Sequence, residues 1–129
     1  MIRKIFIVTE RRADFSRFKP ILKLIKKSKK LKYILVVTGN HLIKEYGFSI
    51  NEIKREKIKI SDSFPMFLKS KKDDGSVMVH GLGVALQKLS QILKKYEPDI
   101  ILSGFDIGAN LAVTIAGAHM NIPVAHIQG

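Results

Sequence analysis

Residues 97–129 read EPDIILSGFDIGANLAVTIAGAHMNIPVAHIQG, and this stretch decides the fold of the chain. The short apolar run 100–102 predicts a strand, the small apolar residues of 109–120 predict a helix, and the run 124–127 predicts a second strand. The glycine-containing segment 103–108 predicts the turn between the first strand and the helix. Strand, helix and strand in this order form a βαβ unit, whose two strands lie parallel in one sheet.

Upstream, the chain repeats this alternation of strands and helices. The runs KIFIVT at 4–9 and YILVVT at 33–38 are continuously apolar and β-branched, which is typical of parallel strands covered on both faces. A helix capped by Asp14 or Ser16 is predicted after the first run, and a long helix capped by Ser76 is predicted before the βαβ unit. The pattern predicts a Rossmann-like, three-layer α/β domain with a mainly parallel sheet.

The middle of the chain is less regular. The alternating residues 58–60 predict a short strand, and 61–75, with a proline and a basic cluster, predict an exposed loop. Gly81 and Gly83 each cost the long helix about 1 kcal/mol of helix propensity relative to alanine. Either a ligand or another backbone approaches these glycines, or the helix packs closely on the sheet.

Length and composition bound the class of protein. At 129 residues the chain predicts one domain, 1–129, and its hydrophobic content of 46% is ordinary for a globular protein. No segment approaches the ~20 uninterrupted apolar residues of a membrane span, and the amino terminus reads as a first strand rather than a signal peptide. The absence of cysteine excludes a disulfide framework and a thiolate metal site. These features predict a soluble protein of the cytoplasm that does not bind membranes.

The formal charge of +12 requires an explanation, because a basic surface attracts phosphates and nucleic acids alike. Lysines crowd the segments 23–32 and 69–72. They lack interleaved aromatic residues or arginines, and lysine on the outer face of a helix is commonly a solubilising choice. Nucleic-acid binding is therefore the less favoured interpretation.

Polar residues follow three of the predicted strands, and a parallel sheet brings all three loops to one edge. Arg12 and Asp14 follow the first strand, His41 follows the second, and Asp106 follows the strand at 100–102. Arginine suits phosphate oxygens, histidine can transfer a proton near neutral pH, and a loop carboxylate can act as a base. The constellation indicates a phosphorylated or nucleotide-linked ligand. The alternative is that Arg11 and Asp14 merely pair or cap and that His41 is an exposed loop residue.

Other chemical motifs are weak or absent. His126 lies within an apolar strand, so a buried core histidine is the favoured interpretation and a ligand contact the less favoured one. The sequence shows neither metal-ligand spacing nor a Ser/His/Asp arrangement. The first strand is followed by ERRAD rather than by the glycines of a dinucleotide fingerprint. We therefore expect no metal and no cofactor.

Several stretches, in order along the chain, are similar to one known family. They are TERRADF at 9–15, VTGNHL at 37–42, EYG at 45–47, KYEPD at 95–99 and NIPVAHI at 121–127. The stretch TERRADF is similar to the TGTRADY motif near the amino terminus of the family, and VTGNHL is similar to the family's VTGxHL motif. The chain thus resembles the hydrolysing UDP-N-acetylglucosamine 2-epimerases, especially the branch of sialic and related nonulosonic acid biosynthesis.

This resemblance implies a GT-B arrangement, in which two Rossmann-like domains enclose the active site and this chain is the amino-terminal domain only. It implies UDP-N-acetylglucosamine as substrate and a missing carboxyl-terminal domain that supplies most of the UDP contacts. Family members eliminate UDP across C1 and C2 to give a glycal, and water addition releases the 2-epimer. Homo-oligomers are compatible with the resemblance, and the domain alone is expected to be inactive.

Residue by residue, the resemblance implies specific roles. Arg12 would contact phosphate, His41 would line the sugar pocket as a catalytic candidate, and Asp106 would match the loop aspartate of the acid/base chemistry. Asp14 and Gln128 are the remaining substrate-binding candidates. Two departures stand out: the family's Gly-Asp-Arg loop reads Phe-Asp-Ile here, and Gln128 stands where some members carry glutamate and others histidine.

Two rival functions remain open at the level of sequence. One is a stand-alone or split-partner module that binds nucleotide sugars without catalysing a reaction. The other is a small basic nucleic-acid-binding protein that uses the lysines of 23–32.

Overall fold

The structure of the protein is a computed structural model that describes residues 1–67 and 74–127. Within these ranges the strands are β1 (Arg3–Thr9), β2 (Leu31–Val37), β3 (Asp62–Ser63), β4 (Ile100–Ser103) and β5 (Val124–His126). The α-helices are α1 (Arg12–Lys27), α2 (Ile50–Arg55), α3 (Gly75–Tyr96) and α4 (Gly108–His119). Two short 3-10 helices, Gly39–Leu42 and Lys44–Tyr46, follow β2. No helix in the described part is long and apolar enough to cross a membrane.

The strands form one parallel sheet in the order β3-β2-β1-β4-β5. The register places Thr9 beside Val37 and Ser103 beside His126, so these strands end at a common carboxyl edge. The strand order reverses between β1 and β4, because β2 lies on one side of this pair and β5 on the other. The loops after β1 and β4 therefore flank the switch point at which open α/β sheets bind ligands.

Side chains of the central strands alternate between two apolar layers, which explains why these strands are apolar throughout. Phe6 and Val8 of β1 belong to the core on the side of α3 and α4, while Ile7 belongs to the core on the side of α1 and α2. From α1, Phe18 and Leu22 are fully buried in the second core. Two helical layers with a parallel sheet between them confirm the predicted Rossmann-like, three-layer α/β fold.

The third strand lies later in the chain than predicted. It is Asp62–Ser63 rather than 58–60. The backbone N–H of Lys59 donates to the hydroxyl of Tyr33 at 3.0 Å instead of to a strand carbonyl. The backbone of 58–60 is thus held by a side chain and is not part of a strand.

Helix α1 begins with Arg11 as its N-cap, so neither Asp14 nor Ser16 occupies the predicted capping position. Asp14 instead lies at the third position of the helix, where its carboxylate accepts the backbone N–H of Glu10 at 3.0 Å. Ser16 donates its hydroxyl to the carbonyl of Ala13 within the same turn. The helix start is thus stabilised by Asp14 from inside the first turn.

Helix α3 is capped by Asp74 rather than by Ser76. The Asp74 carboxylate accepts the N–H of Val77 at 3.0 Å and the hydroxyl of Ser76 at 2.6 Å. A carboxylate is favoured at this position because it meets the positive end of the helix dipole. The predicted loop at 61–75 lies partly outside the described residues, and the lysines of 69–72 lie wholly outside them.

The two glycines of α3 have different surroundings. A Cβ atom on Gly81 would lie 2.7 Å from the ring of Phe67 and 3.2 Å from the carbonyl oxygen of Met66. A Cβ atom on Gly83 would meet no atom within 4 Å. The close approach of the segment 66–67, including its backbone, therefore explains Gly81, while nothing in the described structure requires glycine at Gly83.

Candidate functional site at the carboxyl edge

A buried chain of hydrogen bonds lies beneath the carboxyl edge, with Thr9 at its centre. The Thr9 hydroxyl contacts the Asp14 carboxylate and lies 2.8 Å from Nε2 of His41. Nδ1 of His41 lies 2.7 Å from the hydroxyl of Ser49. All four residues are almost completely buried. This chain connects the end of β1 to the start of α1 and to the segment that precedes α2.

The hydrogen bonds of His41 are compatible with a neutral ring, which its lowered pKa indicates. An ionised Asp14 only accepts, so Thr9 donates to it, and the Thr9 oxygen then accepts from Nε2–H of His41. In a neutral ring Nδ1 then carries no proton and accepts the hydroxyl proton of Ser49. Burial lowers the pKa of His41 to about 4, consistent with a neutral ring at pH 7. With both nitrogens bonded inside the fold, the arrangement suits a positioning role for His41 rather than proton transfer.

The pKa of Asp14 is shifted in the opposite direction to that of His41. Burial raises its pKa to about 6, although the hydrogen bonds from Thr9 and from the backbone of Glu10 oppose this rise. The side chain is turned away from solvent and is 1% exposed. The structure therefore places Asp14 beneath the site, where it orders the first turn of α1.

A cavity of about 210 Å³ lies against this buried chain and includes Arg12 and Glu52 in its wall. The Arg12 guanidinium binds the Glu52 carboxylate through two hydrogen bonds, Nη2–Oε1 at 2.7 Å and Nε–Oε2 at 3.1 Å. These bonds raise the pKa of Arg12 and lower the pKa of Glu52. The side chains are 58% and 48% exposed, so solvent reaches the pair. A carboxylate on an arginine fork occupies the place that a phosphate group can also take.

Asp106 lies in the loop after β4 and pairs with His126 at the end of β5. Its Oδ1 atom lies 2.9 Å from Nε2 of His126, and its side chain is 84% exposed. The β4–β5 register brings the loop and the ring together, because Ser103 is the strand partner of His126. An exposed carboxylate that is held by an imidazole is suited to accept and return a proton of a bound ligand.

The prediction of a buried core histidine at His126 is wrong. Its side chain is 26% exposed because β5 is the edge strand and His126 is its last residue, at the carboxyl edge of the sheet. The position of His126 in the sequence could have indicated this exposure, since the apolar run at 124–127 ends at the ligand-binding edge of the sheet.

The sequence interpretation missed Glu10, whose side chain is 2% exposed at the switch point. Its Oε1 accepts the backbone N–H of Ala109 in the first turn of α4 at 2.8 Å, and its Oε2 pairs with Arg11 at 2.6 Å. Gly39 and Gly108 have φ of 61° and leave no room for a Cβ atom against Glu10. The signal was present in the sequence, because the family opening TGTRADY has glycine where this chain has Glu10.

The predicted site residues thus form two groups at the carboxyl edge. Arg12 and His41 line the cavity, with Asp14 beneath it, and Asp106 belongs to a second group with its histidine partner. Gln128 lies outside the described residues. Among the residues that the structure describes, no group of three or more His, Cys, Asp or Glu side chains is arranged to hold a metal ion.

Comparison with known proteins shows the family. A family model described as UDP-N-acetylglucosamine 2-epimerase matches residues 23–129. The chain belongs to this family. It is 36% identical over 129 residues to the UDP-N,N'-diacetylbacillosamine 2-epimerase (hydrolyzing) of Legionella pneumophila, covering 100% of this chain and 34% of that protein. It is 32% identical over 128 residues to the UDP-N-acetylglucosamine 2-epimerase of Neisseria meningitidis, covering 99% of this chain and 33% of that protein.

The fold of the chain is also similar to that of solved epimerase structures. The crystal structure of the Neisseria meningitidis UDP-GlcNAc 2-epimerase bound to UDP-GlcNAc is similar with a TM-score of 0.78 and 17% identity. The similarity covers 98% of this chain and 32% of that chain. The chain therefore spans about a third of the length of the relatives that it matches. The family resemblance read from the sequence is confirmed.

Proposed function

We propose that this chain, residues 1–129, is the amino-terminal domain of a hydrolysing 2-epimerase that acts on a UDP-linked 2-acetamido sugar. The observation that carries the proposal is the exposed Asp106 carboxylate, held 2.9 Å from His126 at the carboxyl edge. The relatives support it, because their names describe 2-epimerases of UDP-N-acetylglucosamine and of UDP-N,N'-diacetylbacillosamine. UDP-N-acetylglucosamine is the substrate that we expect, and its diacetamido analogue is the alternative.

The reaction that the family resemblance implies begins with an elimination. A base removes the proton at C2 of the sugar, the C1–O bond to UDP breaks, and a C1=C2 double bond forms. Water then adds a hydroxyl group to C1 and a proton to the opposite face of C2, which releases the 2-epimer. We assign Asp106 to the transfer of the C2 proton, and His126 to holding the Asp106 carboxylate in place.

Substrate binding in this proposal centres on Arg12. A bound diphosphate replaces the Glu52 carboxylate on the Arg12 fork, since both anions use the same two donors. Asp14 and His41 support this arrangement from beneath by holding the first turn of α1 and the cavity wall. Gln128 follows the strand that carries the partner of Asp106, and it remains a substrate-binding candidate.

The other wall of the cleft comes from outside these 129 residues in this proposal. About two thirds of the length of the matched relatives has no counterpart in the chain. We assign most of the UDP contacts to a second Rossmann-like domain in that remainder. Independence from metals and cofactors, a cytoplasmic location and assembly into a homo-oligomer stay predictions.

Titration of the chain with UDP-N-acetylglucosamine, followed residue by residue by NMR, tests the binding step. We expect shifts in the loops that carry Arg12 and Asp106, and weaker binding in Arg12→Gln. Arg3→Gln is the matched control, because it removes the same charge at the opposite end of β1. Saturable shifts that avoid both loops would contradict the proposed site.

A further inference from the structure

A second depression, of about 520 Å³, lies at the amino edge of the sheet, opposite the carboxyl edge. Its floor is the start of β2, and its sides are the last turns of α1 and α3 and the segment 59–61. Its volume falls within the range of about 300–1,000 Å³ that is typical of small-molecule sites. We name it the amino-edge groove and define it by the lysines that line it. These are Lys4, Lys26, Lys32, Lys59 and Lys95.

Two of these lysines have a structural explanation. Lys4 donates from Nζ to the carbonyl of Tyr96 at 2.7 Å, and Lys26 donates to the carbonyl of Lys57 at 3.1 Å. Tyr96 is the last residue of α3, where a cation is favoured by the helix dipole. The nearby Asp99 carboxylate accepts the backbone N–H of Lys4 at 2.7 Å. These contacts satisfy backbone groups and do not require a ligand.

The other three lysines are not explained in this way. Lys95 pairs with the Asp62 carboxylate at 3.7 Å and lies over the ring of Tyr96, 5.0 Å from its centre. Lys32 and Lys59 have no side-chain partner among the described residues. Lys32 is also the direct strand neighbour of Lys4, and like charges in such positions repel each other. The groove therefore holds two lysines, Lys32 and Lys59, whose charge no described side chain pairs with.

The wall of the groove is held in place by two tyrosine hydroxyls. Tyr33 accepts the backbone N–H of Lys59 at 3.0 Å, and Tyr96 donates to the carbonyl of Ser61 at 2.8 Å. These bonds fix the short segment that presents Lys59 opposite the start of β2. The ammonium groups of Lys32 and Lys59 thus project from an ordered backbone, which lowers the entropic cost of binding a ligand between them.

We propose that the amino-edge groove is a second binding site, whose ligand carries a chain of linked phosphates. Lysine binds phosphate oxygens as a point charge, so a groove lined by lysines and no arginine favours a ligand with several adjacent charges over one with a single planar anion. The phosphate chain can belong to a nucleoside triphosphate or to an inorganic oligophosphate. The site lies on the edge opposite the proposed catalytic residues and does not depend on the proposed function.

Calorimetric titration of the chain with sodium tripolyphosphate, at fixed ionic strength, tests this site. We expect saturable binding that the double variant K32Q/K59Q weakens by about tenfold or more, because two ammonium contacts are lost. The matched control K54Q/K88Q removes the same charge from exposed lysines outside the groove and should change the affinity less than about twofold. The effect of K32Q/K59Q should persist undiminished in an Arg12→Gln background, which separates this site from the carboxyl-edge site.

Parallel titrations with ATP and with orthophosphate identify the ligand. Equal affinities for ATP and tripolyphosphate support recognition of the phosphate chain, and tighter binding of ATP supports a nucleotide ligand. The proposal is overturned if tripolyphosphate does not bind, if it binds no more tightly than orthophosphate, or if both double variants weaken it equally. Tighter, length-dependent binding of a single-stranded oligonucleotide would also overturn it, in favour of a nucleic-acid surface. Circular dichroism of each variant confirms that the fold is retained.

Discussion

At the scale of single residues, the Thr9 hydroxyl links two groups whose protonation is shifted in opposite directions. His41 has a pKa of about 4 against an ordinary value of 6.5, and Asp14 has a pKa of about 6 against an ordinary value of 3.8. The folded state therefore disfavours protonated His41 and disfavours ionised Asp14. Since the two residues share one hydroxyl, they are best tested together.

The pH dependence of stability is the first prediction. The contribution of His41 is complete above pH 6.5 and is lost as the pH falls toward 4, because the folded pKa lies below the unfolded one. The penalty from Asp14 is complete above about pH 6 and disappears as the pH falls toward 3.8, because the folded pKa lies above the unfolded one. Each effect is on the order of 3 kcal/mol at its limit, so the two largely offset each other in the wild type.

Single substitutions separate these two effects. Relative to the wild type, His41→Asn should gain stability as the pH falls from about 6.5 to 4, and Asp14→Asn should lose stability over the same range. Urea unfolding at several pH values measures both differences. Parallel slopes in the two variants would show that the assigned protonation states are wrong.

A second prediction at this scale concerns the Arg12–Glu52 pair. If Glu52 occupies the place of a ligand phosphate, Glu52→Gln should tighten the binding of UDP by about two- to fivefold, the range expected for an exposed ion pair. Glu56→Gln is the matched control, because Glu56 also lines the cavity but pairs with Lys19 and Lys23 instead. Isothermal titration with UDP measures the effect. Equal changes in both variants would indicate a general charge effect rather than competition for Arg12.

At the scale of elements, the two glycines of α3 provide a matched pair. Gly83→Ala should stabilise the protein by about 0.5–1 kcal/mol, because alanine favours the helix and the added methyl group meets open space. Gly81→Ala should destabilise it by about 1–2 kcal/mol, because the added Cβ atom would lie 2.7 Å from the ring of Phe67. Thermal and urea unfolding of the two variants measure these changes. A gain in stability from Gly81→Ala would disprove the close approach of the 66–67 segment.

The position of the first turn of α4 depends on residues from other secondary-structure elements. Glu10, at the end of β1, accepts the backbone N–H of Ala109 in the first turn of α4. Gly39, after the end of β2, packs against Glu10. These residues lie far apart in the sequence and meet because their strands are neighbours in the sheet. The loop that carries Asp106 precedes this turn directly, so the carboxylate of Glu10 helps to fix its position.

At the scale of the whole molecule, the proposed reaction needs a cleft that this domain only half provides. The chain alone, incubated with UDP-N-acetylglucosamine, should release no UDP at an enzyme-like rate, because water exclusion requires both walls. Joined to the remaining two thirds of a family relative, it should release UDP. In that fusion, Asp106→Asn should lower the rate by about 10²–10⁴-fold, the usual contribution of a general base. A coupled assay for UDP measures both, and turnover by the chain alone would contradict the two-wall proposal.

Sequence alone determined the layered parallel fold and the family. Both conclusions rest on local properties of the chain: the apolar runs of β1 and β2, the βαβ pattern of 97–129 and the ordered similarity to the epimerases. Such local patterns predict the structure correctly where the fold buries the apolar residues that they contain. The placement of Asp106 after a strand was readable for the same reason. The predicted strand at 58–60 is not formed, and the backbone N–H of Lys59 is bonded instead to the hydroxyl of Tyr33, a residue distant in the sequence.

Only the tertiary structure decided how the site residues are used. In the fold, Asp14 and His41 are buried against the Thr9 hydroxyl. His126 lies at the edge of the sheet beside Asp106. The fold also places Glu10 against the first turn of α4. Each of these outcomes depends on which strands become neighbours and on which side chains lose their water, and both are set by packing between segments distant in the sequence.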